Sequence, residues 1–254
     1  MKTQVIIPAA GLGARLKVAV AKPLIELNGK PLIVYSLEVF EQCSCVHSVI
    51  LAGGKENLID FKKIISKYKI KKVTKVIEGG VTRRDSVRNG LEILDADTKL
   101  VMIHDGARPF ITPGLVQACF SSGTKAEALV TAVPVKATIK RVNPLTMTVE
   151  ATLDRNKLWQ IQTPQVFRKE LIVKAHRQVQ LYDPSDDALL VEKLGVDVKV
   201  IIGDEKNIKI TTKEDIELAE AILKTPSPNP SRKGRGRKKL MIPSPSVGRV
   251  REGG

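Results

Sequence analysis

Small and basic residues that follow the first apolar run could bind a chain of phosphates. The run Val5–Ile7 continues into Pro8-Ala9-Ala10-Gly11-Leu12-Gly13-Ala14-Arg15, and Lys22 follows further along. Small residues let backbone N–H groups approach phosphate oxygens, while arginine and lysine neutralise their charge. The pattern predicts a triphosphate-binding loop at the end of a buried strand, and therefore nucleotide chemistry.

Two familiar phosphate loops have a different spacing. The dinucleotide-binding loop needs a third glycine three residues after the second, where this chain has Leu16, which argues against a dehydrogenase. The Walker loop needs a Gly-Lys-Ser/Thr ending, which does not follow Gly13. An alternative interpretation is that Gly11 and Gly13 only form a tight turn.

A second candidate loop runs from Glu78 to Val87 and begins with two glycines after its first residue. The glycines permit backbone contact with a flat ligand, and Ser86 offers a hydroxyl. Thr82 or Asp85 could cap the helix that follows. These features suit a loop that binds a flat ligand.

A third candidate loop, His104–Pro109, contains a carboxylate and a guanidinium. Asp105 is a suitable oxygen ligand for Mg²⁺ beside a phosphate site. Arg108 presents a planar fork that suits a phosphate. The alternative is that Asp105 and Arg108 simply pair with each other.

Apolar runs alternate with helical patterns and must position these loops. Strands are predicted at 4–8, 48–52, 73–77, 100–103, 128–133 and 198–202, and helices at 31–40, 58–68, 85–94, 113–120, 169–178 and 213–222. This alternation predicts an α/β fold: a Rossmann-like, mostly parallel sheet with helices on both faces. The three loops should then meet in one crevice at the carboxyl ends of the strands.

The stretch from 134 to 165 breaks the alternation. It reads as extended pieces at 137–142, 147–152 and 158–162, with a turn at Asn143-Pro144. We predict a β-hairpin arm at about 134–156 that projects from the sheet and forms a dimer contact, because exposed hairpins are usually paired or covered. The alternative is an edge hairpin on the same subunit.

Length and charge divide the chain into a domain, residues 1–224, and a tail, residues 225–254. A chain of 254 residues can bury one good core with an appendage. Of the net charge of +15, the tail carries +7, with five prolines, five glycines and four serines. Such a segment cannot bury enough apolar surface to order itself, so we expect disorder. Its basic cluster could contact nucleic acid, but we favour an extension without function.

The cysteines and the opening residues indicate a cytoplasmic protein. Three cysteines, Cys43, Cys45 and Cys119, fit reduced thiols, although Cys43 and Cys45 could form half a metal site. No run of 18 apolar residues and no export or plastid-targeting segment is evident, so we expect no membrane contact. The three histidines, His47, His104 and His176, are scattered, and we interpret them as structural or solvated.

Taken in order, the motifs resemble those of the 2-C-methyl-D-erythritol 4-phosphate cytidylyltransferase family, which acts in the non-mevalonate isoprenoid pathway. The resemblance spans roughly Thr3 to Leu223. Its motifs are Pro8-Ala9-Ala10-Gly11-x-Gly13-x-Arg15, Lys22, Gly79-Gly80, Arg84-x-Ser86-Val87, His104-Asp105-x-Ala107-Arg108-Pro109, Pro134-Val135, Thr138, Asp154-Arg155-Asn156-x-Leu158-Trp159, Thr163-Pro164-Gln165, Asp186-Asp187-Ala188 and Asn207-Ile208-Lys209.

The resemblance implies CMP transfer from CTP to a sugar-alcohol phosphate, with Mg²⁺ or another divalent cation, in a homodimer joined by the arm. The implied catalytic residues are Arg15, Lys22 and Lys209, and the implied metal ligand is Asp105. The implied CTP-binding residues are Ala9, Ala10, Gly11, Gly13, Gly80, Ser86 and Ala107. The implied acceptor-binding residues are Arg108, Thr138, Arg155, Thr163 and Ser185.

The chain departs from the family pattern near the base and acceptor pockets. Pro23 follows Lys22, where the family commonly has a glutamine. Val81 stands where an acid is frequent, Ala137 where an aspartate is expected, and Ser185 where a threonine is usual. Two alternatives therefore stay open: a ribitol 5-phosphate cytidylyltransferase, and a nucleotide- or RNA-binding protein without turnover. Comparing both acceptors would decide the first, and deleting the tail would decide the second.

Overall fold

Eleven strands form within the part of the chain that the structure, a computed structural model, describes: residues 1–11, 21–178 and 184–225. The strands are β1 (Thr3–Ala9), β2 (Glu26–Leu27), β3 (Lys30–Pro31), β4 (Ser48–Gly53), β5 (Val73–Glu78), β6 (Leu100–Ile103), β7 (Ala128–Pro134), β8 (Lys140–Asn143), β9 (Thr148–Thr152), β10 (Trp159–Arg168) and β11 (Lys199–Ile202). The predictions for Gly13, for Arg15 and for the tail beyond Thr225 lie outside the described residues.

The α-helices fall close to the predicted segments. They are α1 (Leu32–Gln42), α2 (Leu58–Lys67), α3 (Arg83–Glu92), α4 (Pro113–Gly123), α5 (Lys169–Gln178), α6 (Ala188–Glu192) and α7 (Lys213–Lys224). Among the helices of the described residues, α6 alone was not predicted, because five residues are too few for a helical pattern to emerge. None of the helices in the described ranges has the length and apolar character needed to cross a membrane.

The central sheet has the order β11-β7-β10-β6-β1-β4-β5. β1 pairs in parallel with β4 and β6, β4 with β5, and β11 with β7. β10 is antiparallel to both β6 and β7. The mostly parallel α/β sheet is therefore confirmed, with one antiparallel strand that the apolar runs did not predict.

The strand pleat explains why helices cover both faces. Val5 and Ile7 belong to a buried cluster that includes residues of α1, α2 and α4. Ile6, between them, belongs to a second cluster that includes residues of α3, α5 and α6. Because successive side chains of a strand point to opposite faces, the apolar run Val5–Ile7 of β1 is buried on both.

Threonines set the starts of the helices that border the crevice. Thr82 Oγ1 accepts a hydrogen bond from Asp85 N at 3.0 Å, and Asp85 Oδ2 accepts one from Thr82 N at 3.2 Å. This reciprocal capping box begins α3, so both predicted cap residues take part. At the start of α7, Asp215 Oδ2 likewise accepts a hydrogen bond from Thr212 N at 2.8 Å.

β8 and β9 form a separate antiparallel pair, joined through a turn at Asn143. The Asn143 side chain accepts a hydrogen bond from Leu145 N at 2.9 Å, and Met147 has a φ of 54°. Leu145 is 93% exposed. The role of this arm in a dimer stays a prediction.

Candidate active site

The principal cleft lies at the carboxyl ends of β1, β5 and β6 and has a volume of about 700 Å³. The predicted convergence of the three loops is therefore observed. Nine of the residues expected from the resemblance to bind CTP, metal or phosphate line it: Ala9, Ala10, Gly11, Lys22, Gly80, Ser86, Asp105, Ala107 and Lys209.

Close packing explains the paired glycines of the second loop. A Cβ on Gly79 would lie 2.8 Å from both Ala10 Cβ and Ser86 Oγ, and one on Gly80 would collide with Asp85. Ser86 Oγ accepts a hydrogen bond from Gly80 N at 3.0 Å and donates one to Thr82 O at 3.1 Å. The loop is thus fixed by its own contacts before any ligand binds.

Asp105 lies at the electrostatic centre of the site. Its Oδ1 is 2.8 Å from Arg83 Nε, and its Oδ2 is 2.9 Å from Lys209 Nζ. Burial alone would raise the pKa of the Asp105 carboxyl, but the charges of Arg83, Lys209 and Arg108 outweigh burial and hold it well below its usual value. Asp105 is therefore ionised at neutral pH.

Arg108 is buried and forms hydrogen bonds to two other segments of the chain. Its Nη1 donates to Asn207 O at 2.8 Å and its Nη2 to Ile161 O at 3.4 Å. Its Nε lies 3.7 Å from Asp105 Oδ2, so the pairing considered from the sequence is present at the edge of the cleft. Burial lowers the pKa of Arg108, although Asp105 opposes that effect.

A second cleft of about 290 Å³ adjoins the first and shares three of its residues, Arg83, Asp105 and Lys209. Of the predicted acceptor-binding residues, Arg108, Thr163 and Ser185 line this second cleft. Thr138 and Arg155 line neither cleft and are exposed. The Arg155 guanidinium donates to Lys136 O at 3.3 Å, and both residues belong to the segment 134–156 that was predicted as the arm.

A buried histidine, His104, contacts residues of the site from the interior of the fold. His104 Nδ1 lies 3.1 Å from Thr163 Oγ1, and its Nε2 lies 3.0 Å from Arg108 O. Burial lowers the pKa of His104 to about 4, so the ring is neutral near pH 7. The structural interpretation of His104 agrees with these contacts.

Arg83 is the functional residue that sequence reasoning missed. It is the first residue of α3 and pairs with Asp105 and with the buried Asp187. Its partners come from distant segments, so no local spacing pointed to them. The available signal was an arginine directly after the glycine loop, on the edge where a carboxylate was predicted.

The fold and this pair of clefts, which share one carboxylate among several cations, define a nucleotidyltransferase of the α/β class. The chain belongs to the IspD family, 2-C-methyl-D-erythritol 4-phosphate cytidylyltransferase, whose model matches residues 3–225.

Named relatives cover nearly the whole domain. A 2-C-methyl-D-erythritol 4-phosphate cytidylyltransferase of Alkaliphilus oremlandii is 44% identical over 88% of this chain and 96% of its own length. A relative of the same name from Geobacillus kaustophilus is 42% identical over 88% of this chain and 97% of its own.

A solved structure confirms the fold. The 4-diphosphocytidyl-2C-methyl-D-erythritol synthase of Anaerococcus prevotii superposes with a TM-score of 0.79 at 33% identity. That comparison covers 88% of this chain and 96% of the solved one.

Proposed function

We propose that the chain transfers CMP from CTP to 2-C-methyl-D-erythritol 4-phosphate in isoprenoid precursor biosynthesis. The products are 4-diphosphocytidyl-2-C-methyl-D-erythritol and pyrophosphate. The observation that carries the proposal is the adjacency of two clefts of about 700 Å³ and 290 Å³ that share Arg83, Asp105 and Lys209. One cleft would hold the nucleotide and the other the acceptor phosphate. Family membership supplies the identity of both substrates.

The reaction needs positioning and charge neutralisation more than a protein nucleophile. An acceptor phosphate oxygen forms a bond to the α-phosphorus of CTP, the bond from that phosphorus to the β-phosphate oxygen breaks, and pyrophosphate leaves with the electron pair. Lys22 and Lys209 line the cleft and would neutralise the charge that builds up. We assign the same role to Arg15, on the basis of the family motif.

Asp105 is the residue proposed to hold a divalent cation. Among the residues that the structure describes, no three His, Cys, Asp or Glu side chains form a metal cage. A single carboxylate on the cleft wall nevertheless suits Mg²⁺, which is usually bound through one or two carboxylates plus substrate phosphates and water. When bound, Mg²⁺ would neutralise the triphosphate and polarise the phosphorus under attack.

The glycine loop is proposed to recognise cytosine. Gly80, Ser86 and Ala10 lie together on one wall of the cleft and would offer backbone groups and one hydroxyl to the base. Ala9, Gly11 and Ala107 complete the nucleotide surface, with Gly13 assigned by its motif. Arg108, Thr163 and Ser185 would bind the acceptor.

The arm is proposed to form a homodimer and to bring Thr138 and Arg155 to a neighbouring site. Support comes from exposed apolar side chains on the arm, with Leu145 93%, Met147 77% and Val149 59% exposed. Sedimentation of the wild type and of Leu145→Asp/Val149→Asp tests the proposal. We expect the wild type to be a dimer and the double variant to be a monomer whose KM is raised for the acceptor only.

The catalytic unit is proposed to be residues 1–224, located in the cytoplasm. The family match ends at residue 225, which leaves the basic tail without an assigned role. Cys43, Cys45 and Cys119 are buried free thiols, a state that a reducing compartment maintains.

The decisive experiment is pyrophosphate release by the purified protein with Mg²⁺. CTP with 2-C-methyl-D-erythritol 4-phosphate is compared with CTP with ribitol 5-phosphate, and ATP replaces CTP as a control. Release only with CTP and the first acceptor supports the proposal. Release with ribitol 5-phosphate assigns the other acceptor. If folded protein releases no pyrophosphate with either acceptor, cytidylyl transfer is contradicted.

A further inference from the structure

Arg83 bridges two buried carboxylates at the edge of the cleft. Its Nε lies 2.8 Å from Asp105 Oδ1, and its Nη1 lies 2.7 Å from Asp187 Oδ2. The Asp187 side chain is 1% exposed and lines neither of the two clefts. A guanidinium holds its donors in one rigid plane, so the two bonds together fix its orientation.

The second carboxylate oxygen of Asp187, Oδ1, also has a partner. His176 Nε2 lies 3.0 Å from Asp187 Oδ1, with both side chains 1% exposed. An ionised carboxylate only accepts hydrogen bonds, so His176 Nε2 must carry the proton of this pair. A continuous chain of contacts therefore runs from α5 through Asp187 and Arg83 to Asp105.

Arg83, 2.8 Å from Asp105 Oδ1, and Lys209, 2.9 Å from Oδ2, differ in how firmly they are held, while Arg108 Nε lies further away, at 3.7 Å from Oδ2. Arg83 is anchored from behind by Asp187, and its side chain is 25% exposed. Lys209, on Oδ2, is 39% exposed and reaches Asp105 on a flexible four-carbon chain. When a triphosphate enters the cleft, Lys209 can move to it more readily than Arg83 can.

We propose that His176, Asp187 and Arg83 form a positioning relay for Asp105. Arg83 stays on Oδ1, while Lys209 exchanges from Oδ2 to the incoming triphosphate and leaves Oδ2 for the divalent cation. Arg83, Asp187 and His176 are positioning residues, because they act through Asp105. The inference rests on the proposed function, since it assigns roles within the same site.

The relay is tested with Mn²⁺, whose binding in the presence of CTP is measured by electron paramagnetic resonance. The variants are Asp187→Asn, Arg83→Lys and the double variant. Losing the partner of a metal ligand typically weakens metal affinity by about 10- to 100-fold. We expect about tenfold weaker Mn²⁺ binding in each single variant, by the same principle.

The double variant distinguishes a relay from independent structural effects. If Asp187 acts through Arg83, the double variant binds Mn²⁺ about as well as Arg83→Lys alone, whereas independent effects would multiply. The matched control is Arg88→Ala, which removes an exposed arginine that pairs with Asp85 on the same helix and should leave Mn²⁺ binding and turnover unchanged.

Three results would overturn the relay: unchanged Mn²⁺ affinity in folded Asp187→Asn, multiplying effects in the double variant, or wild-type protein that binds no Mn²⁺ with CTP. If Asp187→Asn does not fold, His176→Gln replaces it and must weaken Mn²⁺ binding without lowering CTP affinity. Wild-type protein that binds Mn²⁺ and CTP but releases no pyrophosphate contradicts the proposed function and leaves the relay intact.

Discussion

Lys209 Nζ lies 2.9 Å from Asp105 Oδ2, although the two residues belong to distant parts of the chain. The residues beside them hold the two loops together. Ile210 N donates to Ala107 O at 2.8 Å, and Arg108 Nη1 donates to Asn207 O at 2.8 Å. These bonds fix the backbone beside Lys209, so that its flexible side chain starts within reach of both Asp105 and an incoming triphosphate.

Replacing Lys209 should remove most turnover while the protein stays folded. Losing one charge-stabilising donor typically lowers kcat by about 10²- to 10³-fold, and we expect Lys209→Ala to fall in that range. Steady-state pyrophosphate release measures the effect. The control is Lys206→Ala, an exposed lysine of the same loop. Equal activity in the two variants would remove Lys209 from the mechanism.

Adding a methyl group at Gly79 should disturb the nucleotide cleft. The new Cβ would lie 2.8 Å from Ala10 Cβ and Ser86 Oγ, so one of these cleft residues must move. We expect Gly79→Ala to raise the KM for CTP about tenfold, since Ala10 and Ser86 are proposed to contact the base, overpacking typically costs about 1–3 kcal/mol, and about 1.4 kcal/mol is tenfold in affinity. Gly114→Ala on α4, whose nearest atom is 4.0 Å away, is the control and should retain wild-type KM.

His104 should make the domain less stable as the pH falls. Burial lowers its pKa to about 4 in the folded protein. In the unfolded chain the value is about 6.5, so between these values the unfolded state binds the extra proton. The contribution of neutral His104 to the free energy of unfolding is fully present above pH 6.5. It falls by roughly 3 kcal/mol in total as the pH approaches 4.

Urea unfolding of His104→Gln between pH 7 and 4.5 tests this dependence. The variant should be less stable at pH 7 and show a flatter decline than wild type. His47→Gln, at an exposed position, is the matched control. A decline as steep in His104→Gln as in wild type would assign the acid sensitivity to other groups.

Removing residues 226–254 should leave catalysis unchanged. The family match ends at residue 225, and the described residues that line the two clefts supply the proposed substrate contacts. The kcat and both KM values of the shortened chain should equal those of the full chain. Loss of activity would instead favour a role for the basic tail in nucleic-acid or substrate binding.

The sequence predicted the parallel part of the sheet and the location of the cleft. β1, β4 and β6 are buried on both faces, so their apolar runs are uninterrupted and easily recognised. The turn and small residues between them likewise marked the loops that line the cleft. Periodicity and turn chemistry were sufficient there.

β10 was only partly predicted because its sequence does not look like a central strand. The structure buries Gln162, Thr163 and Gln165 in it, and hydrogen bonds to distant residues compensate for that burial. Arg83 was missed for a related reason, since its ion pairs join segments far apart in the chain. Local patterns cannot predict a side chain whose environment is assembled only by the complete fold.

The place of β10 between β6 and β7 also determines the order in which a nascent chain can complete its sheet. β6 and β7 follow each other in the sequence, yet in the sheet β10 separates them. A chain emerging from the ribosome must keep facing edges of both strands unpaired until Arg168 has been made. During that interval these open edges can pair with strands of other chains, which is a route to aggregation.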